Sequence, residues 1–157
     1  VSVKVTGVQW WWEIEYPDSI ASRRVVTANE LHIPVGAPIR IELQSHDVIH
    51  SFWAPRLHGK LDMVPGYRNV LWLRADSAGV YRGQCAEFCG ADHARMALHV
   101  VALPEESFER WLDLASKRVV RSRALRLHIA TRPSAIAATA RVPRRALPVR
   151  RGDGGRQ

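Results

Sequence analysis

Residues 1–5 (Val-Ser-Val-Lys-Val) and 39–44 (Ile-Arg-Ile-Glu-Leu-Gln) alternate apolar and polar side chains, the pattern of strands that bury one face. Residues 7–16, from Gly7 through Trp10-Trp11-Trp12 to Tyr16, read as a further strand, stopped by Pro17-Asp18. Three successive tryptophans on a strand must point to both faces, which leaves at least one large ring near the surface. Val25-Val26 and Leu31-His32-Ile33 are strand pieces around an Asn29-Glu30 turn, and Pro34 and Pro38 flank Gly36 in a loop. Phe52-Trp53 ends another strand, and Lys60-x-Asp62-x-x-Pro65-Gly66 reads as a polar connection. Asn69-Val70-Leu71-Trp72-Leu73 is apolar enough to predict a strand buried on both faces. After the turn at Asp76-Ser77-Ala78-Gly79, residues 80–84 and 96–102 predict two more strands. The period then changes. Pro104-Glu105-Glu106 opens a helix, with proline in the first turn and acids at the positive end. Phe108, Trp111, Leu112, Ala115 and Val119 follow at helical spacing and should cover one side of the strands. The expectation is an all-β domain over 1–104, an amphipathic helix over 105–120 packed on it, and a disordered tail over 121–157.

Composition supports one domain and changes the picture of the charge. The chain has 157 residues, 46% of them apolar, enough for a single core. Its formal charge of +8 looks like that of a nucleic-acid binder until it is divided. Residues 1–116 hold 11 Lys/Arg against 14 Asp/Glu, a formal −3, whereas 117–157 hold 12 against one, a formal +11. The basicity belongs to the tail, so a nucleic-acid partner is not expected. The mildly acidic folded part suits a basic protein partner. No apolar run approaches the length of a membrane span, and no signal peptide opens the chain.

The candidate chemistry is concentrated in Cys85-Ala-Glu-Phe-Cys89-Gly-Ala-Asp-His93-Ala-Arg-Met96. Both cysteines of the protein lie here with a histidine and a methionine, a soft donor set that suits copper. Cysteines four residues apart cannot sit side by side on a straight strand, so the loop must fold back, and Gly90 supplies backbone freedom for that. Several readings fit the spacing. A disulfide is the default for two cysteines in an exported domain. Zinc takes Cys and His but seldom Met. A mononuclear blue-copper site needs one Cys and two His. Two bridging thiolates holding two coppers need a second histidine from elsewhere. His46, His50 and His58 lie upstream; His46 is about 13 Å from His50 on an extended strand, too far for both to serve one site, and His46 and His58 read as solvated.

Together with Asp47-Val48-Ile49-His50-Ser51-Phe52-Trp53, the loop resembles the binuclear copper A domain of cytochrome c oxidase subunit II, from about residue 3 to residue 111. The resemblance implies a cupredoxin-like Greek-key β-barrel or sandwich. It implies Cys85 and Cys89 as bridging thiolates, His50 and His93 as imidazole ligands, and Met96 with the backbone carbonyl of Glu87 as weak axial ligands. Asp47 is expected to hold a ligand histidine or the local backbone. The Glu87 side chain is given a magnesium ion at a subunit interface. Trp10, the first aromatic after Gln9, is the surface ring that receives the electron. The implied partners are cytochrome c as donor and the haem-bearing catalytic subunit as acceptor. The implied location is the periplasmic face of the bacterial inner membrane, through an N-terminal anchor outside these residues. Where the family commonly has Arg after Pro-Gly, this chain has Tyr67 followed by Arg68. Glu87 between the cysteines favours the oxidase over the copper A domain of nitrous oxide reductase. A copper-storage module is the alternative from another class. No Cys-x-x-Cys-His is present, so no covalently attached haem is expected.

Overall fold

The computed structural model describes residues 1–18, 20 and 23–130, with side chains through 118. Ten strands form two five-stranded sheets. The first has the order β3-β2-β1-β5-β8, from β1 (Ser2–Val8), β2 (Trp11–Tyr16), β3 (Val25–Ala28), β5 (Ile39–Ser45) and β8 (Asn69–Leu73). The second has the order β4-β10-β9-β6-β7, from β4 (Glu30–Pro34), β6 (His50–Trp53), β7 (Leu61–Met63), β9 (Gly79–Cys85) and β10 (Ala97–Leu103). Parallel pairing of β1 with β5 and of β10 with β4 joins strands far apart in sequence. This is the expected all-β, cupredoxin-like sandwich.

Alternation sets which side chains meet between the sheets. Val3, Val5, Trp12, Ile14, Ile39, Ile41 and Leu43 point inward from the first sheet, and Leu31, Ile33, Phe52, Leu98 and Val100 from the second. Trp12 packs edge-on against Phe52 with ring centroids 5.8 Å apart. Burying side chains of this size is worth roughly 1.5–3 kcal/mol each.

Three segments differ from the sequence expectation. The run over 7–16 is two strands, β1 and β2, joined by a tight turn at Gln9-Trp10. The turn sets the tryptophans apart: Trp12 is fully buried, while Trp10 and Trp11 are half-buried. β8 is an edge strand rather than a doubly buried one, and its outward residues Val70 and Trp72 are 42% and 58% exposed. A short apolar run does not reveal whether anything covers its second face. The connection over 60–66 contains β7, which pairs with β6 from His50↔Met63 to Phe52↔Leu61.

The helix α1 spans Glu105–Ala130, ten residues past the expected end at 120. Arg, Ala and Leu after Lys117 are good helix formers and no proline intervenes before Pro133. Its first turns seal one side of the sandwich. Phe108 is buried, and Trp111 stacks on His32 at 4.1 Å and meets Tyr16 at 5.2 Å. The Tyr16 hydroxyl accepts from the His32 N–H at 2.6 Å and donates to the His32 carbonyl at 3.0 Å. The part of the basic tail over 131–157 lies outside the described residues.

Candidate metal centre

Two neighbouring strands carry the donors to one end of the sandwich. Cys85 closes β9, and Phe52↔Cys85 pairing sets β6 alongside, so that His50 at the start of β6 arrives at the same end. Residues 86–96 loop out between β9 and β10. The neck is closed by the Cys85 N–H donating to the Met96 carbonyl at 2.9 Å, and the Ala86 N–H donates to the Ser51 carbonyl at 3.0 Å. The loop folds back through Gly90, at φ 118°, into a single 3-10 turn over His93–Arg95. That φ lies where side-chain-bearing residues are strained.

The loop and β6 place soft donors around two sulfurs. Cys85 Sγ and Cys89 Sγ are 3.8 Å apart, both buried and unbonded; a disulfide requires about 2.05 Å. Cys85 Sγ lies 3.9 Å from His50 Nδ1, and its thiol donates to the Glu87 carbonyl at 3.2 Å. Cys89 Sγ lies 3.5 Å from His93 Nδ1 and 3.7 Å from Met96 Sδ. The donor atoms of His50, Cys85 and Cys89 all fall within 4.8 Å of one another. Each sulfur thus has an imidazole nitrogen beside it, while the thioether and the Glu87 carbonyl lie at the flanks.

Surrounding groups orient these donors. His50 is fully buried, and its Nε2–H donates to Asp47 Oδ1 at 2.8 Å, which leaves Nδ1 as the free acceptor facing Cys85. Burial pushes the Asp47 carboxyl upward, but hydrogen bonds from His50, the Gln9 N–H and the Val48 N–H outweigh it and hold the group below its ordinary range. Burial pushes the Cys89 thiol up to about 12, with the neighbouring Cys85 adding to the shift. Burial thus disfavours the Cys89 thiolate, and a metal bound there would displace its proton. Gly7 lies under the His50 ring, where a Cβ would sit 2.7 Å from its Cδ2. No larger residue fits there without moving the histidine.

The remaining sequence candidates fall as follows. Trp10 lies half-buried beside the loop, and its indole Nε1–H donates to the Cys89 carbonyl at 3.1 Å. Glu87 is exposed next to Phe88, which is 75% exposed and meets the His93 ring edge-on at 5.7 Å. His46 and His58 are exposed. Gln9 and Gly7 escaped the sequence reading; a small residue before a Gln-aromatic pair was the available signal, but its partners lie far along the chain.

A two-sheet sandwich with thiols, imidazoles and a thioether converging at one end defines a cupredoxin-like domain with a soft-metal site. The particular family follows from comparison. The family model for the periplasmic domain of cytochrome c oxidase subunit II matches residues 18–103, and the chain belongs to that family. Cytochrome c oxidase subunit 2 of Alkalihalophilus pseudofirmus is 42% identical over 119 residues, covering 76% of this chain and 34% of that protein. The periplasmic domain of subunit II of cytochrome oxidase from Bradyrhizobium japonicum superposes with a TM-score of 0.70 at 32% identity, covering 76% of this chain and 95% of that one. A mixed-disulfide complex of subunit II of cytochrome c oxidase with the thioredoxin-like TlpAs gives a TM-score of 0.66 at 31% identity, covering 76% and 92%. The chain spans about a third of the Alkalihalophilus relative. Among the described residues no helix is long and apolar enough to cross a membrane.

Proposed function

We propose that this domain is the one-electron relay of a haem-copper terminal oxidase, taking electrons from a cytochrome c at a binuclear copper A centre and passing them to haem in the catalytic subunit. The observation that carries the reading is the pair of unbonded thiols 3.8 Å apart with an imidazole nitrogen beside each sulfur. Cys85, Cys89, His50 and His93 would hold the metals, with Met96 and the Glu87 carbonyl as weaker donors beside them. The donor set fits copper, whose preference for thiolate, thioether and imidazole is met in full. Bound there, a copper pair supplies a single-electron store delocalised over both sulfurs.

The chain's own residues do the rest. The sandwich fixes His50 and Cys85 at strand ends, and hydrogen bonds from Gln9 and Trp10 to the Cys89 carbonyl hold the loop that carries Cys89 and His93. The Asp47 carboxylate holds His50 in the tautomer that presents Nδ1. Trp10 offers a half-exposed ring one hydrogen bond from the Cys89 backbone. The Glu87 carboxylate, which is exposed, would reach a magnesium ion at the junction with the catalytic subunit, as the family resemblance implies.

Copper loading under reductant tests the reading. The expected result is two coppers per chain, a purple colour and a spin-resonance hyperfine pattern shared over two nuclei; a single-copper pattern overturns it. Trp10→Ala should slow electron acceptance from cytochrome c more than about tenfold while two coppers still bind, since each lost decade corresponds to about 1.4 kcal/mol of barrier. An unchanged rate removes Trp10 from the path.

A further inference from the structure

We infer that Gln9 is a positioning residue that straps the two halves of the ligand set together. The inference rests on the reading of the site given above. The ligands come from two remote segments, His50 on β6 and the loop that follows β9. Gln9, in the turn between β1 and β2, touches the supports of both. Its backbone N–H donates to Asp47 Oδ2 at 2.7 Å, and the other oxygen of that carboxylate accepts from His50 Nε2 at 2.8 Å. Its side-chain Nε2–H donates to the Cys89 carbonyl at 2.8 Å. One residue therefore fixes the carboxylate that orients His50 and the backbone that carries the Cys89 sulfur.

The fit of Gly90 supports a built contact rather than a passing one. A Cβ at Gly90 would come within 3.1 Å of Gln9 Nε2 and 3.2 Å of the Trp10 indole. The loop backbone thus approaches the Gln9-Trp10 turn as closely as it can. Gln9 is itself exposed and buries little apolar surface. Its contribution to global stability is small, so its effect should be confined to the loop and the metal. The Cys89 carbonyl also accepts from Trp10. Loss of the glutamine amide leaves that carbonyl with one donor instead of two, free to turn with its residue.

The test compares the parent chain with Gln9→Met, which keeps length but lacks a donor, and with Gln9→Glu, which keeps shape but turns an acceptor toward the carbonyl. Both variants are expected to release copper to a chelator roughly tenfold faster, the range that supporting contacts around a metal site command. Both should also alter the hyperfine pattern of the loaded protein. In the metal-free protein, amide exchange should quicken at residues 89–90 alone, and the unfolding midpoint should stay within about 2 °C of the parent, as for a surface change. Gln9→Asn, too short to reach, should behave as Met does. Parent-like release and parent-like exchange in both variants overturn the inference. So does faster exchange spread over both sheets with a matching loss of midpoint, which would mark a merely structural role. If the parent chain itself fails to bind two coppers, the reading of the site fails. The exchange comparison in metal-free protein then still decides whether Gln9 holds the loop.

Discussion

The ligand end of the sandwich and its helix-covered flank are built on opposite logics. At the ligand end, buried polar atoms are brought together with space between them. Two sulfurs stand 3.8 Å apart and the imidazoles stand 3.5 and 3.9 Å from them. On the helix-covered flank, rings close ranks over backbone pairing, and His32 Nδ1 is left buried without a hydrogen-bond partner. The Tyr16 hydroxyl takes both backbone groups of His32, and Trp111 lies flat on the His32 ring. In the first region hydrogen bonds from neighbouring residues fix the groups that carry the donors. In the second, ring packing fixes the side chains. The difference teaches that a preorganised site costs stability locally, through desolvated donors, and that the flank and core must offset it.

The largest effect expected from breaking this contrast is at the sulfurs. Cys85→Ser or Cys89→Ser should abolish the shared-copper spin-resonance signal outright, because a hydroxyl does not bridge two soft metals. Retention of that signal in either variant would discard the ligand assignment. At the flank, Trp111→Ala should cost about 2 kcal/mol, roughly 5 °C in unfolding midpoint, as expected for truncating a half-buried ring. Its loaded copper spectrum should match the parent. A changed spectrum would mean that the two regions are coupled.

The smallest effect is a pH dependence of the flank. Burial lowers the pKa of His32 from its ordinary 6.5, with Glu30 opposing. The folded state therefore binds that proton less readily than the unfolded chain. Stability from this group is full above 6.5 and falls as pH drops through the window below it. Midpoints of metal-free protein measured from pH 8 to pH 5 should decline, and His32→Phe should flatten the decline. An equal slope in that variant would remove His32 from the account.

Much of this organisation is written in short-range patterns. Residues 39–44 alternate and form β5; the Cys85–Met96 spacing and the Asp47–His50 segment announce which side chains gather. What escaped was set by remote partners. The aromatic run over 7–16 hides the turn at Gln9-Trp10, because apolar residues mask the reversal and its anchor is Asp47, 38 positions away. Gln9 meets Cys89 across 80 positions, a contact that no local period encodes. The exposure of Trp72 depends on β8 lying at a sheet edge, which is a property of strand order and not of the strand.

The neck of the ligand loop has a consequence of its own. Gln84 pairs with Ala97 immediately outside it, and the Cys85 N–H to Met96 carbonyl bond shuts it. Between these residues the loop carries Cys89 and His93, while Cys85 and Met96 form its neck and His50 stands on β6. A change confined to residues 86–95 therefore alters two donors and leaves the other side-chain donors on the frame of the sheets.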